Sequence, residues 1–151
     1  MLIIKELDFK YSGQLAEILS TDEKLHRKLS PNSELTLISA LEYMQGCKKW
    51  EATKNGKCFA IVWEKQAVGS ISFRHKDDET AGVGYWLKSD MWGKGICTQA
   101  FKHIITVLQN TEYKYVTASI LKENIASKRI WEGYNATFRE DDKRYYPKIK
   151  L

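Results

Sequence analysis

A chain of 151 residues with 43% hydrophobic content is sized for one domain, 1–151, with a proper core and leaves no room for a second. The formal charge of +5 suits an anionic partner, but Lys48, Lys49, Lys54, Lys57, Lys148 and Lys150 are scattered, which favours a solvated surface over a nucleic-acid face. No apolar run is long enough to span a bilayer, Lys5, Glu6 and Asp8 break up the start where a signal peptide needs an unbroken apolar region, and Cys47, Cys58 and Cys97 show no metal-ligand or disulfide spacing; a cytoplasmic protein with free thiols and no metal is expected.

Leu2 to Leu7 reads as a first strand, and Ser12 can cap a helix with Leu15, Ile18 and Leu19 on one side. After Pro31 a second helix is expected from about Asn32 or Ser33, with Leu37, Ile38, Leu41 and Met44 as its core stripe. Asn55-Gly56 signals a turn, and Cys58 to Trp63 and Ala67 to Phe73 make an antiparallel hairpin around Glu64-Lys65-Gln66. The polar Lys76 to Glu79 leads into a strand at Val83 to Leu87. A third helix carries Phe101, Ile104, Ile105 and Leu108 at i, i+3, i+4 and i+7, a face to pack on a sheet. Tyr115 to Ile120 is the next strand, a helix runs from Asn124 to about Trp131 or Tyr134, and two closing strands flank Asp141-Asp142. The order predicts an α/β fold, with a mixed, mostly antiparallel sheet of about six to seven strands flanked by about four helices.

The junction Trp92-Gly93-Lys94-Gly95-Ile96-Cys97-Thr98 lies between a strand and a helix. Its two glycines free the backbone to turn and bring N–H groups close to an oxyanion, at the positive end of the following helix dipole. A phosphate cradle is the reading. The loop is not a Walker motif, because Lys88 stands where the first glycine is required and Gly95 where serine or threonine is. Nor do Gly82 and Gly84 make a dinucleotide fingerprint, since the third glycine is missing.

The loop resembles the acyl-CoA pyrophosphate loop of the GNAT superfamily of N-acetyltransferases, with Trp92, Gly95 and Cys97 at its three signature positions. Gly84-Tyr85-Trp86-Leu87 and the stretch from Trp92 to Ala100 look like the branch of ribosomal-protein N-acetyltransferases. Downstream, Asn124 to Glu132 is similar to the family's Asn-x-x-Ser-x-Arg helix. The two matches have the right order and separation, and the predicted elements fit a GNAT-like fold.

The resemblance implies acetyl-CoA as cosubstrate, its pyrophosphate on the segment Trp92, Gly93, Lys94, Gly95, Ile96, Cys97 and Thr98. It also implies that the pantetheine arm hydrogen-bonds the main chain around Trp86, Leu87 and Lys88 like an added strand. Lys94 adds charge there or lies in solvent. Asn124 is a helix cap by its chemistry, and by resemblance it also contacts the pantetheine or thioester. Ser127 is a proton donor to the departing thiolate or a polar residue of the first turn, and Arg129 reaches the CoA phosphates or pairs with Glu132 or Glu123. Three departures from the family stand out. Gly82 occupies the place of a glutamate usable as base, which leaves Glu79 as the nearest upstream carboxylate. Trp131 stands where many relatives have an acid tyrosine, leaving Tyr134 as a minor candidate. Asn135-Ala136 replaces Gly-Phe, and asparagine tolerates the left-handed conformation. Cys97 at a helix N-terminus could be nucleophilic, but a small packing residue is the stronger reading.

These readings converge on an N-acetyltransferase in which a primary amine attacks the thioester directly. The acceptor could be a protein N-terminus, a polyamine, an amino sugar or another small amine, in a pocket between the first two helices and the final strands. The alternative is a CoA-binding module with weak or no transferase activity. A monomer or homodimer, away from membranes and nucleic acid, is expected.

Overall fold

The computed structural model describes residues 1–151. Strand β1, Leu2–Glu6, leads to helix α1, Phe9–Thr21, whose cap is Asp8 and not Ser12: the Asp8 carboxylate accepts the Tyr11 N–H at 2.7 Å, while Ser12 is fully buried a turn inside. Leu15 and Ile18 face the core as expected. A short helix α2, Glu23–Leu29, was not anticipated and lies before Pro31. Asp22 both ends α1 and caps α2, accepting the Leu25 N–H at 3.1 Å.

Helix α3, Ala40–Lys54, starts later than Asn32 or Ser33 because Ser39 and Glu42 form a reciprocal capping box, at 3.1 and 3.0 Å, which satisfies two orphan N–H groups at once. Leu37 and Ile38 therefore precede the helix. With Leu37 83% exposed and Leu41 50% exposed, and no residue of α3 buried, the expected stripe is not core. The hairpin of β2, Lys57–Trp63, and β3, Gln66–His75, turns on Glu64 and Lys65, both at positive φ. Strand β4, Thr80–Leu87, begins three residues earlier than expected. Helix α4, Ile96–Gln109, follows a single 3-10 turn at Ser89–Met91.

The expected strand at 115–120 is split into β5, Tyr115–Thr117, and β6, Ile120–Leu121. Both pair with β8, Arg144–Lys150, in one continuous register, with Tyr115 opposite Lys150 and Ile120 opposite Tyr145. That register sets the break at Ala118 against Pro147, which has no N–H to give the ladder; the Thr117 hydroxyl takes the Pro147 carbonyl instead, at 2.7 Å. Helix α5, Ile125–Glu132, and β7, Thr137–Glu140, complete the chain, with Asn135 left-handed between them as read from the sequence.

The eight strands form one sheet in which β1, β2, β3 and β4 follow in antiparallel order, β4 and β5 are the one parallel pair, and β5, β6 and β7 all pair with β8. One face packs on α4 and α5 through Phe101, Ile104, Leu108, Ile130 and Trp131. On the other, α1 and α2 bury Leu15, Ile18 and Leu25 against Ala60, Val62 and Ala67. No helix is long and apolar enough to cross a membrane.

Candidate active site

Strands β4 and β5 pair only from Thr80 to Gly82 on one side and Tyr115 to Thr117 on the other. Beyond that point β4 runs on to Leu87 with its other edge still paired to β3, so the sheet opens into a cleft between β4 and α5. Lys88 donates its N–H to Val68 at 2.7 Å, toward β3. The alternation of an antiparallel ladder then turns the main-chain groups of Tyr85 and Leu87 the other way, into the cleft. The Leu87 carbonyl is already taken by the Trp92 indole N–H at 2.8 Å. The N–H groups of Tyr85 and Leu87 and the Tyr85 carbonyl are what the cleft edge offers, while those of Trp86 and Lys88 face β3.

At the open end of β4 the chain passes through Gly93 and Gly95, with φ of 75° and 76°, a region that costs any L-residue with a Cβ. Nothing lies within 4 Å of a Cβ built on either. No main-chain N–H from Gly93 to Thr98 finds an acceptor in the protein, since the first helical bond of α4 is Gln99 N–H to the Gly95 carbonyl and no side chain caps the helix. Six successive donors are thus left unpartnered at a helix N-terminus, with open space at both glycines and Lys94 exposed beside them. Trp92 braces the loop through its bond to Leu87, and Lys28 of α2 sits 4.7 Å from the centre of its ring. Lys88 pairs with Asp90 at 3.4 Å. Asp22 ties the α1–α2 junction to the approach of the loop, accepting the Ser89 N–H and hydroxyl, both at 2.8 Å. Burial alone would raise the Asp22 pKa, but the bonds from Ser89 and Leu25 and the charge of Lys88 hold it below its ordinary value.

Across the cleft, Asn124 caps α5 by accepting the Ser127 N–H at 3.2 Å, and the buried Ser127 hydroxyl shares a hydrogen bond with the Tyr85 hydroxyl. Burial raises the Tyr85 pKa, against a downward pull from the Ser127 hydroxyl. Trp131 is fully buried, 4.8 Å from the Phe101 ring, and its indole N–H has no hydrogen-bond partner. It is a packing residue. Tyr134 likewise stacks edge-on against Phe101 at 5.0 Å. Burial pushes the Cys97 thiol up to about 11, with Lys28 opposing, so the thiol is protonated near neutral pH and its chemistry is that of a small packing residue. Arg129 is exposed and pairs with neither Glu132 nor Glu123.

The structure does not bring Glu79 to Ser127. Glu79 sits before β4, exposed, with its carboxylate 3.2 Å from the Lys114 ammonium, and six residues of strand, about 20 Å, separate it from Tyr85. Gly82, at the place where the resemblance implies a glutamate, is covered by the Arg74 side chain, whose Nε and Cζ lie 3.4 and 3.8 Å from the position a Cβ would take. Sequence reasoning missed three residues of this site. Tyr85 lay inside a quoted motif, but its partner on α5 is a long-range fact; Lys28 and Arg74 carry no local signal at all.

A family model described as the acetyltransferase (GNAT) domain matches residues 2–136. The chain belongs to the GNAT family. Its fold agrees with solved GNAT structures at low identity. A probable acetyltransferase superposes with a TM-score of 0.77 at 22% identity, covering 99% of this chain and 92% of that one. The ribosomal-protein α-N-acetyltransferase RimL, solved with coenzyme A, gives 0.74 at 18%, covering 99% and 93%. The microcin self-immunity acetyltransferase MccE, solved with acetyl-CoA and AMP, gives 0.79 at 15%, covering 99% and 92%. No curated protein sequence matches significantly. Within this GNAT domain no cluster of three or more His, Cys, Asp or Glu side chains is placed to hold a metal ion.

Proposed function

We propose that this GNAT domain transfers the acetyl group of acetyl-CoA to a primary amine by direct attack in a ternary complex. The observation that carries the reading is the run of six unpartnered N–H groups from Gly93 to Thr98, with open space at both glycines, a fit for a pyrophosphate. The free edge of β4 then receives the amide groups of the pantetheine arm, as an added strand would be received. Cosubstrate-bound relatives of the same fold, RimL with coenzyme A and MccE with acetyl-CoA, support it.

The reaction needs little more than positioning. The amine nitrogen forms a bond to the thioester carbonyl carbon, an N–H from β4 holds the developing oxyanion, the carbon–sulfur bond breaks, and the thiolate leaves with a proton. Ser127 and Tyr85, sharing one hydrogen bond at the cleft wall, are the assigned source of that proton. The proton lost by the amine goes to water. Asn124 holds α5 and Ser127 in place, and Arg129, free of carboxylates, is assigned to the cosubstrate phosphates.

A panel of amines assayed by release of free CoA thiol tests the reading. Turnover with at least one acceptor is expected. Acetyl-CoA binding with no turnover on any amine would support the second reading, a CoA-binding module, which Arg74 over Gly82 and the buried Trp131 favour by removing the usual base and acid.

A further inference from the structure

The register of the sheet lines up one cross-strand row on the face opposite α4: Arg74 of β3 stands beside Gly82 of β4, Gly82 beside Thr117 of β5, and Thr117 beside Lys148 of β8. Ala81, Val116 and Ile149, their neighbours in sequence, point the other way into the α4-side core. Three strand spacings, about 14 Å, separate the Arg74 and Lys148 backbones. Between them lie a glycine and a threonine whose hydroxyl is already bonded to Pro147. The Arg74 side chain lies back over Gly82, so the row puts its guanidinium on one side of Thr117 and the Lys148 side chain on the other, at the point where β4 and β5 part.

The cations around it outnumber the carboxylates. Lys76, Arg139 and Lys148 line the adjoining depression with Asp77 as its one carboxylate, and neither they nor Arg74 form an ion pair at bonding distance. Asp77 is occupied by the Glu79 N–H at 2.9 Å. The nearby Asp141 is occupied by the Tyr146 hydroxyl at 2.6 Å and by the Lys143 and Arg144 N–H groups. Lys148 rests 4.4 Å from the Tyr115 ring centre, which holds its ammonium on this face. Four cations against the two carboxylates of Asp77 and Asp141 would repel a polyamine and attract an anion.

We propose that the acceptor is a small amine that also carries an anionic group, a carboxylate or a phosphate, held between Arg74 and Lys148 over Thr117. The proposal rests on the acetyltransferase reading. It places the anion-binding row at the end of the cleft away from the 93–98 cradle, separated from Leu87 by five residues of strand, about 17 Å. The same cations disfavour the ammonium form of a nearby amine, which offsets the missing carboxylate base.

Matched acceptors test it by kcat/KM for release of CoA thiol: an α-amino acid against its amide, a phosphorylated aminoalcohol against the parent aminoalcohol, and spermidine. The anionic member of at least one pair is expected to exceed its neutral partner about tenfold or more, the pair showing which anion is used, with spermidine poorest. Arg74→Gln and Lys148→Gln, both exposed, should erase that preference through KM, while Arg74→Lys keeps most of it. Equal or better use of the neutral members overturns the proposal alone, as would loss of acetyl-CoA affinity in Arg74→Gln, which would assign the row to the cosubstrate. No turnover with any amine would sink the acetyltransferase reading and this proposal with it.

Discussion

Gly95→Val is the sharpest perturbation of the cradle. A Cβ at Gly95 meets nothing within 4 Å, so the side chain enters without collision, but φ of 76° strains any L-residue there by about 1–2 kcal/mol. A domain of ordinary stability, about 5–15 kcal/mol, stays folded under that load. The binding loss is separate. The isopropyl group occupies that open space and denies the pyrophosphate one or more main-chain donors, and each charge-assisted bond contributes about 1.5–3 kcal/mol. Acetyl-CoA affinity should fall about thirtyfold, equivalent to about 2 kcal/mol, by isothermal titration calorimetry. Gly46→Ala is the matched control, because that glycine also has open surroundings but lies inside α3 without a positive φ. It should gain about 0.5–1 kcal/mol of stability with no change in affinity. Unchanged affinity in a folded Gly95→Val protein would refute the cradle.

Cys97→Ala should keep most activity, and initial-rate lines should intersect; parallel lines with acetyl trapped on Cys97 would revive the thiol as nucleophile. Ser127→Ala and Tyr85→Phe should each lower kcat about ten- to a hundredfold with acetyl-CoA affinity unchanged, and the double variant should be no worse than about the poorer single, since the two share one proton path. Additive losses would separate them. Glu79→Gln should match the parent enzyme at every pH, and a rate deficit confined to low pH would restore Glu79 as base. Asp22→Ala should cost about 1 kcal/mol as a lost helix cap. Because the folded Asp22 pKa lies below the ordinary 3.8, its ionic contribution is fully present above that value and fades as pH falls through the lowered one. Denaturation curves of parent and variant should therefore converge in acid, and a gap that widens there would contradict the assignment.

What the sequence made legible was local. The Glu64-Lys65 hairpin, the four apolar positions of α4 and the glycine junction each carry their geometry within a few residues, so period and turn chemistry were enough. The start of α3 was also written locally, in Ser39 and Glu42, but Pro31 and an apolar stripe offered a competing signal, and only tertiary burial decides between them. The bonds of Ser89 to Asp22 and Pro147 as the reason for the break between β5 and β6 depend on partners far along the chain. The site divides in the same way. Its cradle could be read from Gly93 and Gly95, whereas Tyr85 against Ser127, Lys28 over Trp92 and Arg74 over Gly82 exist only after the strands and helices are assembled.

The three-residue pairing of β4 with β5 is a narrow seam. On one side lie β1 to β4 with α1 to α4, and on the other β5 to β8 with α5; Phe101, in ring contact with Tyr85, Trp131 and Tyr134 at once, is one rivet between them. Such a division makes the two halves candidates for separate cooperative units in native-state hydrogen exchange, each opening at its own free energy. A cosubstrate laid along the edge of β4 and against α5 would bridge the seam and couple them. In the free protein, amides of β5 and β8 should then exchange on a different schedule from those of β2 and β3, and saturating acetyl-CoA should merge the two schedules into one.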